Sequence, residues 1–344
     1  MNLIKAFPFV SICIPSYNRP EKLSELLKSI DFRNFEDIEI VICEDDSPKR
    51  KEIRNIVEEY KSGSKYKIIY IDNEKNLGYD KNLKELIKKS SGKWIVFMGD
   101  DDQFVSGALD KLFDFLKNHE DLGYVLRSHK KIDANGKIEN FRYYGKTKFF
   151  NSGKDTFIDL FRKSVFISGF TIRRDLVLSY LIDDFDGTAL FQIYLLGEVV
   201  LKYKSAYFDE VLTQEVLLTN YRDKELLYLA DKKIYVPRPC NVENSLRFLS
   251  GYSKLMEFFD KKYNLNVTAL IKKDMSKYFY PSLSIHRDKG LKVFFNYVAQ
   301  VNKLGFNISI YYYIYIALLV IFGKNICDNG IRVLKNIIGK TPHL

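Results

Sequence analysis

The chain has 344 residues, of which 46% are hydrophobic and 28% are charged, with 54 Lys and Arg against 44 Asp and Glu. This composition is typical of a globular protein with one large or two ordinary domains, and it excludes an intrinsically disordered chain. The four cysteines form no CxxC pair and the four histidines show no ligand spacing, which argues against a zinc site. Cys13 and Cys43 lie in apolar runs, which predicts buried thiols in a reducing compartment.

Strand and helix patterns alternate through the first hundred residues. The apolar run at the N-terminus is interrupted by prolines and lacks a small-residue cleavage site, so we interpret it as a first strand and not as a signal peptide. Four strands that alternate with helices predict a parallel sheet with right-handed crossovers. The predicted strands are 9–14, 38–43, 66–71 and 94–98, and helices are predicted for 21–30, about 51–60 and a segment through 82–87.

Three consecutive aspartates, Asp100, Asp101 and Asp102, follow the fourth predicted strand. Like charges at the end of a buried strand repel one another, and a divalent cation would offset that cost. Carboxylates together with substrate phosphate are the usual ligands of Mg²⁺, and ligands of open α/β sheets bind beyond the carboxyl ends of the strands. The alternative is a solvated turn in which one aspartate caps a helix that begins near Ser106.

The phosphate-binding signatures of other nucleotide-binding folds are missing from the sequence. No GxGxxG follows the first strand, and no GxxxxGK[ST] occurs anywhere. A site that binds phosphate without a glycine-rich loop needs a metal. The sequence therefore predicts a nucleoside diphosphate held through Mg²⁺ or Mn²⁺ at the three aspartates.

Four motifs carry a resemblance to a known family. They are 14–19 (IPSYNR), 44–47 (EDDS), 76–78 (NLG) with Asn82, and 97–102 (FMGDDD). In this order and spacing they resemble the motifs of family 2 glycosyltransferases, strongly over residues 7–120 and more faintly to about 215. The chain is most similar to the bacterial branch that builds O-antigen and capsular polysaccharides, which includes abequosyltransferase-like enzymes. The resemblance implies a GT-A fold, with a mostly parallel sheet flanked by helices, and inversion at the anomeric carbon of the sugar.

The resemblance also implies roles for individual residues. Asp101 matches the metal-binding acid of the family's DxD motif, and Asp102 follows it as a second metal ligand. Gly99 stands where the commoner motif has its first aspartate, which leaves the usual ribose contact to Asp100.

At the nucleotide, the loop from Pro15 to Arg19 would line the base, and Asp45 would accept hydrogen bonds from it. Asn76 and Asn82 would contact the base or the ribose, although Asn82 is equally consistent with a buried helix amide. The residues assigned to the nucleotide are Pro15, Tyr17, Arg19, Asp45, Asn76, Asn82 and Asp100.

An inverting transfer needs a carboxylate that takes the proton of the acceptor hydroxyl. The family has this acid at the start of a helix after the acceptor-side strand, which we predict at 165–172. Our candidate base is Asp186, with Asp184 second, because both precede the helical pattern at 190–200. The family's usual Glu-Asp pair directly before that helix is absent from this sequence. The alternative is that these acids cap the helix and complement its dipole.

Positive charge is concentrated in the last third of the chain. From residue 216 onward, about 20 Lys and Arg stand against about 9 Asp and Glu, and the rest is near neutral. This predicts an anionic partner such as acidic lipid or a polyanionic glycan; nucleic acid is disfavoured because no recognition motif is present. A lysine-rich surface without a partner is the alternative.

Residues 308–322 (ISIYYYIYIALLVIF) are the most apolar stretch of this region. The stretch is short of the ~20 residues needed to span a bilayer, and it is rich in tyrosine, which favours membrane interfaces. With Lys303 and Lys324 on either side, it predicts a helix that lies in an anionic membrane surface. A core helix or a dimer interface, and hence a homo-oligomer, is the competing interpretation.

These patterns predict a catalytic domain over 1–215, with a nucleotide-binding half at 7–120 and an acceptor half at 121–215, and a basic helical region over 216–344. We expect a metal-dependent glycosyltransferase that uses a nucleotide-diphospho-sugar donor and a saccharide acceptor, which we expect to be lipid-linked. Its expected location is cytoplasmic, peripheral on the inner face of a bacterial inner membrane. A nucleotidyltransferase and a non-catalytic glycan- or membrane-binding protein of the same fold are the alternatives.

Overall fold

The computed structural model describes residues 7–33, 37–132, 136, 138–216 and 241–338. The chain forms two compact units, the first made of Met1–Gly187 with Phe191–Thr219 and the second of Thr188–Leu190 with Asn220–Leu344. That residues 1–215 are catalytic and residues 216–344 bind a membrane or a partner remains a prediction.

The first part of the first unit alternates strand and helix, as the sequence pattern predicts. Apolar runs form strands that are buried on both faces, and amphipathic helices pack Leu23 and Leu26, or Ile53 and Val57, into the core. The elements are β1 (Val10–Ser16), α1 (Pro20–Ser29), β2 (Ile38–Glu44), α2 (Arg50–Gly63), β3 (Lys67–Asp72), α3 (Tyr79–Lys89) and β4 (Trp94–Phe97).

The rest of the first unit adds shorter strands and helices. The elements are β5 (Asp102–Phe104), α4 (Ala108–Asn118), β6 (Tyr124–Ile132), β7 (Ile138–Phe141), β8 (Lys148–Phe150), α5 (Lys154–Phe161), β9 (Phe170–Arg173), α6 (Arg174–Val177), α7 (Phe191–Val200) and β10 (Ser205–Val216).

One sheet joins these strands in the order β3-β2-β1-β4-β9-β6-β10-β5. The strands β1 to β4 pair in parallel, so their carboxyl ends meet at one edge, with Ser16 beside Glu44 and Glu44 beside Asp72. Beyond β4 the sheet is mixed, because β9 runs antiparallel to both β4 and β6 whereas β10 is parallel to β6. The expected parallel sheet is therefore confirmed for the first four strands, and the other strands extend it as a mixed sheet.

The strand predicted at 165–172 is also largely wrong. Its apolar residues instead form a short 3₁₀ turn, Ile167–Gly169, and extended pairing begins only at Phe170. The side chain of Ser168 is hydrogen-bonded to Gly99, and the buried Arg127 donates to the carbonyls of Ser168 and Phe170. These long-range bonds hold the turn, and apolar composition alone gave no sign of them.

The second unit is helical in the part that the structure describes. Its helices bury apolar side chains such as Leu255, Phe259 and Phe294 against one another. They are α8 (Val242–Tyr263), α9 (Thr268–Lys277), α10 (Tyr280–Arg287), α11 (Leu291–Lys303) and α12 (Ile310–Ile338). The predicted buried thiols Cys13 and Cys43 are confirmed, whereas Cys240 lies outside the described residues.

Candidate active site

Asp100 joins the end of β4 to the loop that follows β1. Its carboxylate accepts hydrogen bonds from the backbone N–H of Tyr17 and from Nη1 of Arg19, each at 2.9 Å. The residue is buried, and this burial raises the pKa of Asp100 to about 6 although Arg19 opposes the shift. Asp100 therefore fixes the loop after β1 over the end of β4.

Asp101 is the open member of the cluster. Its side chain is 46% exposed, and Oδ2 lies 3.0 Å from Nη1 of Arg19, the same nitrogen that binds Asp100. One guanidinium thus joins two neighbouring carboxylates. Asp101 is therefore accessible to a ligand, and in this structure its carboxylate is paired with the guanidinium of Arg19.

Asp102 is buried at the start of β5. It accepts a short hydrogen bond from the hydroxyl of Ser168, and that hydroxyl in turn accepts the N–H of Gly99 at 2.8 Å. Burial, and then the negative charge of Asp101, raises the pKa of Asp102 well above its ordinary value. A positive charge placed between Asp101 and Asp102 would relieve this cost.

Asp45 organises the loop that follows β3. Its Oδ1 accepts from Asn73 Nδ2 at 3.0 Å and from the N–H of Leu77 at 2.8 Å, and its Oδ2 accepts from the N–H of Gly78 at 2.9 Å. Asn76 donates back to the carbonyl of Asp45 at 2.9 Å. These bonds bring the predicted residues Asp45 and Asn76 together at the carboxyl edge of the sheet; their contact with a nucleotide remains a prediction.

Asn82 lies beneath this loop, inside the protein. It is buried, donates to the carbonyl of Cys43 at 3.0 Å and accepts from Asn73 at 3.3 Å. The structure gives Asn82 the bonds of a buried helix amide, which was the alternative interpretation of the sequence.

A second acidic cluster lies in the turn before α7. The ammonium group of Lys84, on α3, is 2.6 Å from Asp183 Oδ1 and 2.5 Å from Asp186 Oδ1, and only 4% of the Lys84 side chain is exposed. The hydrogen bond from Lys84, and then its positive charge, lower the pKa of Asp183. Asp80, in the first turn of α3, accepts the N–H of Phe191 at 3.1 Å and so fixes the start of α7 beside α3.

The chain matches a known family over residues 11–180, and the description of that family is Glycosyl transferase family 2. These residues form a family 2 glycosyltransferase domain. Abequosyltransferase RfbV of Salmonella typhimurium is 31% identical over 113 residues, 33% of this chain and 34% of that protein. The GalNAc(5)-diNAcBac-PP-undecaprenol beta-1,3-glucosyltransferase of Campylobacter jejuni is 28% identical over 105 residues, 30% of this chain and 33% of that protein. The chain spans about half or less of the length of the curated relatives it matches.

A solved structure, S. aureus TarS 1–349 in complex with UDP-GlcNAc, aligns with a TM-score of 0.51 at 15% sequence identity. The alignment covers 87% of this chain and 89% of that one. At this identity the likeness bears on the fold alone, and it confirms the predicted GT-A fold with a C-terminal helical region. The matched domain and the relatives likewise confirm the resemblance to the bacterial polysaccharide branch of the family.

Gly99 explains why the family 2 domain departs from the commoner motif here. A Cβ atom at position 99 would lie 3.1 Å from Asp101 Oδ1, 3.1 Å from Asp102 Oδ2 and 3.5 Å from the Ser168 hydroxyl. Two carboxylate oxygens thus converge on the space that the missing side chain leaves. An aspartate at 99 would add a third carboxylate and displace both oxygens.

The first unit places two further residues at the aspartate cluster that sequence analysis missed. Ser168 holds Asp102, and Glu215 lies opposite Asp102 in the β5–β10 ladder, where its charge also raises the pKa of Asp102. Glu215 pairs with Lys131 at 2.9 Å. Ser168 reaches Asp102 by a side-chain hydrogen bond across 66 residues of sequence, and Glu215 does so by the pairing of β10 with β5, so no local sequence signal marked them.

Family 2 glycosyltransferases are generally dependent on a divalent metal. Within the described ranges, no three His, Cys, Asp or Glu side chains are arranged around one point as a ready ligand set. The chain does supply two converging carboxylate oxygens, from Asp101 and Asp102, at the open end of β4. That donor set fits Mg²⁺ or Mn²⁺, which take one or two protein carboxylates and complete their coordination with phosphate and water.

Proposed function

We propose that this chain transfers a glycosyl group, with inversion, from a nucleoside diphosphate sugar to a hydroxyl of a saccharide. The observation that carries the proposal is the half-exposed Asp101, placed between two buried carboxylates where β4 ends beside the loop after β1. A cluster of this kind at the carboxyl edge of an α/β sheet is suited to bind a diphosphate through a cation.

Asp101 and Asp102 would hold the metal, and the metal would supply positive charge to the leaving diphosphate. Arg19 already lies against Asp101, so its guanidinium is within reach of an anion bound there. Pro15 and Tyr17 belong to the same loop, which Asp100 fixes in place. We infer that this loop and the Asp45–Asn76 segment flank the nucleoside.

We propose Asp186 as the base, with Asp184 as the second candidate. Support comes from its place in the turn before α7, where the Asp186 carboxylate pairs with Lys84 at 2.5 Å and 18% of its side chain remains exposed to an acceptor hydroxyl. The same pair also supports a purely structural role, and the variants described in the Discussion distinguish the two.

We infer that the acceptor is lipid-linked and that the protein is cytoplasmic and peripheral on the inner face of a bacterial inner membrane. Support comes from the C. jejuni relative, whose name specifies an undecaprenol-linked saccharide. The basic, apolar second unit supplies a chemical reason for binding an anionic membrane surface.

The proposal is tested by thermal unfolding of the full chain with UDP, CDP or GDP, each with and without Mn²⁺. A ligand at a hundredfold excess over its Kd adds about 2.7 kcal/mol of stability, which corresponds to a rise of about 5 to 10 °C in Tm. We expect one nucleotide to give this rise with Mn²⁺ and a clearly smaller one without it. Asp101→Asn should lose the Mn²⁺-dependent part alone. No rise with any nucleotide would contradict the proposal.

A further inference from the structure

The first half of α12 exposes an apolar face. Seven large apolar side chains of this segment are exposed, at the helical spacing that places them along one side. No charged residue occurs from 304 to 323. Soluble proteins rarely leave a continuous apolar surface of this kind uncovered, so the face calls for a partner. The exposed side chains are Ile310, Tyr311, Tyr313, Ile314, Leu318, Ile321 and Phe322.

The opposite side of α12 is fixed within the second unit. Tyr312 and Leu319 are buried, and Arg287 of α10 donates from Nε to the carbonyl of Leu319 at 3.0 Å. Farther along, Asp328 accepts hydrogen bonds from the hydroxyls of Tyr280 and Ser284 at 2.5 and 2.8 Å. Since both halves of α12 are bound to α10, the apolar face is presented by a supported helix.

Gly323 interrupts α12 and so limits the length of continuous helix that could cross a bilayer. By length and composition alone, Ile310–Ile331 qualifies as a candidate membrane span of 22 residues. Gly323, however, has φ 72° and ψ 173°, so the helix is interrupted after Phe322. The segment from Ile310 to Phe322 is about 20 Å long at 1.5 Å per residue, against a hydrocarbon core of about 30 Å.

Crossing the bilayer would also carry charged groups into it. Arg287 is hydrogen-bonded to α12, and Asp328 is part of α12. If α12 crossed the bilayer, both ionised side chains would move toward the hydrocarbon, where they are costly. A helix that lies parallel to the surface leaves these groups on the aqueous side. The structure therefore favours an in-plane orientation.

Charge identifies the partner. Residues 241–338 contain 14 Lys and Arg against 6 Asp and Glu, a net charge of +8. A second copy of the unit would bring the same positive charge and be repelled, whereas acidic headgroups attract it. Tyrosines such as Tyr311 and Tyr313 prefer the headgroup level, and Lys303 and Lys324 lie at the two ends of the uncharged stretch.

We propose that the face from Ile310 to Phe322 lies in the boundary between headgroups and acyl chains of an anionic membrane, with the helix axis parallel to the surface. This specifies the surface, the orientation and the lipid chemistry of the membrane association, and it does not depend on the transfer reaction. An enzyme that fails to transfer sugar would still bind the membrane in this way.

The test is co-sedimentation of the full chain with vesicles of phosphatidylcholine alone or with about 30% phosphatidylglycerol, at low and high salt. We expect binding to the anionic vesicles, weaker at high salt, and release of the bound protein by alkaline carbonate. The double variant Ile314→Glu, Ile321→Glu should bind at least about tenfold more weakly. Because both side chains are exposed, it should keep the Tm of the parent.

Ile138→Glu is the matched control, since Ile138 is an exposed isoleucine on β7 of the first unit, and it should bind as the parent does. Equal binding by the parent and the double variant, or no preference for anionic vesicles, would overturn the proposal. Retention after carbonate would contradict the in-plane orientation. A dimer in solution that the double variant dissociates would assign the face to a second copy instead.

Discussion

The two aspartate clusters of the first unit differ in what balances their charge. At Asp100–Asp102, the ion pairs within the described part of the chain join one guanidinium, that of Arg19, to two of the three carboxylates. In the turn before α7, the buried ammonium of Lys84 lies within 2.6 Å of both Asp183 and Asp186. Burial of Asp100 and Asp102 raises the cost of the unbalanced charge at the first cluster.

The comparison shows that two runs of aspartates can differ in chemistry, because only one of them, among the residues that the structure describes, has a buried lysine inside the protein to balance its charge. The first cluster would gain stability from a cation supplied from outside, which is the basis of the metal proposal. The second obtains its cation from α3 and is stable without a ligand. The two sequences, DDD at 100–102 and DDFD at 183–186, are both acidic runs. Sequence alone does not distinguish them, because Lys84, which pairs with the second run, is about a hundred residues away from it.

The largest expected effect is at the open aspartate. Asp101→Asn removes a metal ligand while keeping the shape of the side chain, so transfer should fall by about three orders of magnitude, equivalent to several kcal/mol of lost charge stabilisation. The measurement is release of nucleoside diphosphate, together with Tm to show that the fold is kept. Asp183→Asn, in the other cluster, is the control and should leave transfer close to normal. Near-normal turnover of Asp101→Asn would contradict the mechanism.

A smaller loss is expected at the proposed base. Asp186→Asn should lower kcat by about 10² to 10⁴, the range that general base catalysis contributes. Lys84→Met, measured at a temperature where it is folded, should retain most of kcat, because it leaves the carboxylate in place. If the two variants lose kcat equally, Asp186 acts only as the partner of Lys84, and the second cluster is structural.

The same lysine gives a stability prediction. Lys84→Met leaves Asp186 without its close cation and should lower the free energy of unfolding by about 2 to 3 kcal/mol, less than for a fully buried pair because 18% of the Asp186 side chain is exposed. Urea unfolding of the variant measures this. Lys81→Met is the matched control: Lys81 lies 3.7 Å from Asp186 and is half exposed, so its loss should cost less than about 1 kcal/mol. Equal losses would show that Lys84 has no special role.

The part of the sheet from β1 to β4 was predictable because its signals are local. The strands β1, β2 and β4 are apolar runs buried on both faces, and polar residues follow each of them directly in sequence. Parallel pairing then brings Asp45 and Asp100–Asp102 to one edge of the sheet. The edge of the sheet and the cluster thus follow from short patterns and the topology of crossovers.

Residues 121–215 were less predictable because their contacts are not local. Apolar residues at 165–169 gave a strand pattern, but the bonds from Arg127 and Gly99 select a turn there. Likewise, Glu215 meets Asp102 only through the antiparallel pairing of β10 with β5. Strand register and side-chain hydrogen bonds of this kind depend on distant residues that a sequence window does not contain.

Gly99 offers a milder test of the first cluster. Gly99→Ala places a methyl group 3.1 Å from oxygens of Asp101 and Asp102, so the two carboxylates must separate, and transfer should fall by about tenfold. Gly145→Ala is the control, because no atom lies within 4 Å of the added methyl group, and it should be neutral. Activity assays at saturating Mn²⁺ measure the effect. A fully active Gly99→Ala would show that the convergence of the oxygens is unimportant.

The smallest expected effect concerns the guanidinium at the first cluster. Arg19 occupies one side of Asp101 at 3.0 Å, so a metal that binds without nucleotide must compete with a resident cation. Arg19→Gln should therefore tighten Mn²⁺ binding to the nucleotide-free protein by a few-fold, about the 1 kcal/mol of a partly exposed ion pair. Electron paramagnetic resonance of free Mn²⁺ measures this directly. Lys22→Gln removes an equal charge one turn along α1 from a lysine paired with Glu25, and it should change Mn²⁺ affinity less. Weaker Mn²⁺ binding by Arg19→Gln would mean that Arg19 helps to form the metal site. The proposed difference between the Asp100–Asp102 cluster, which needs an added cation, and the Asp183–Asp186 cluster, which pairs with Lys84, would then be wrong.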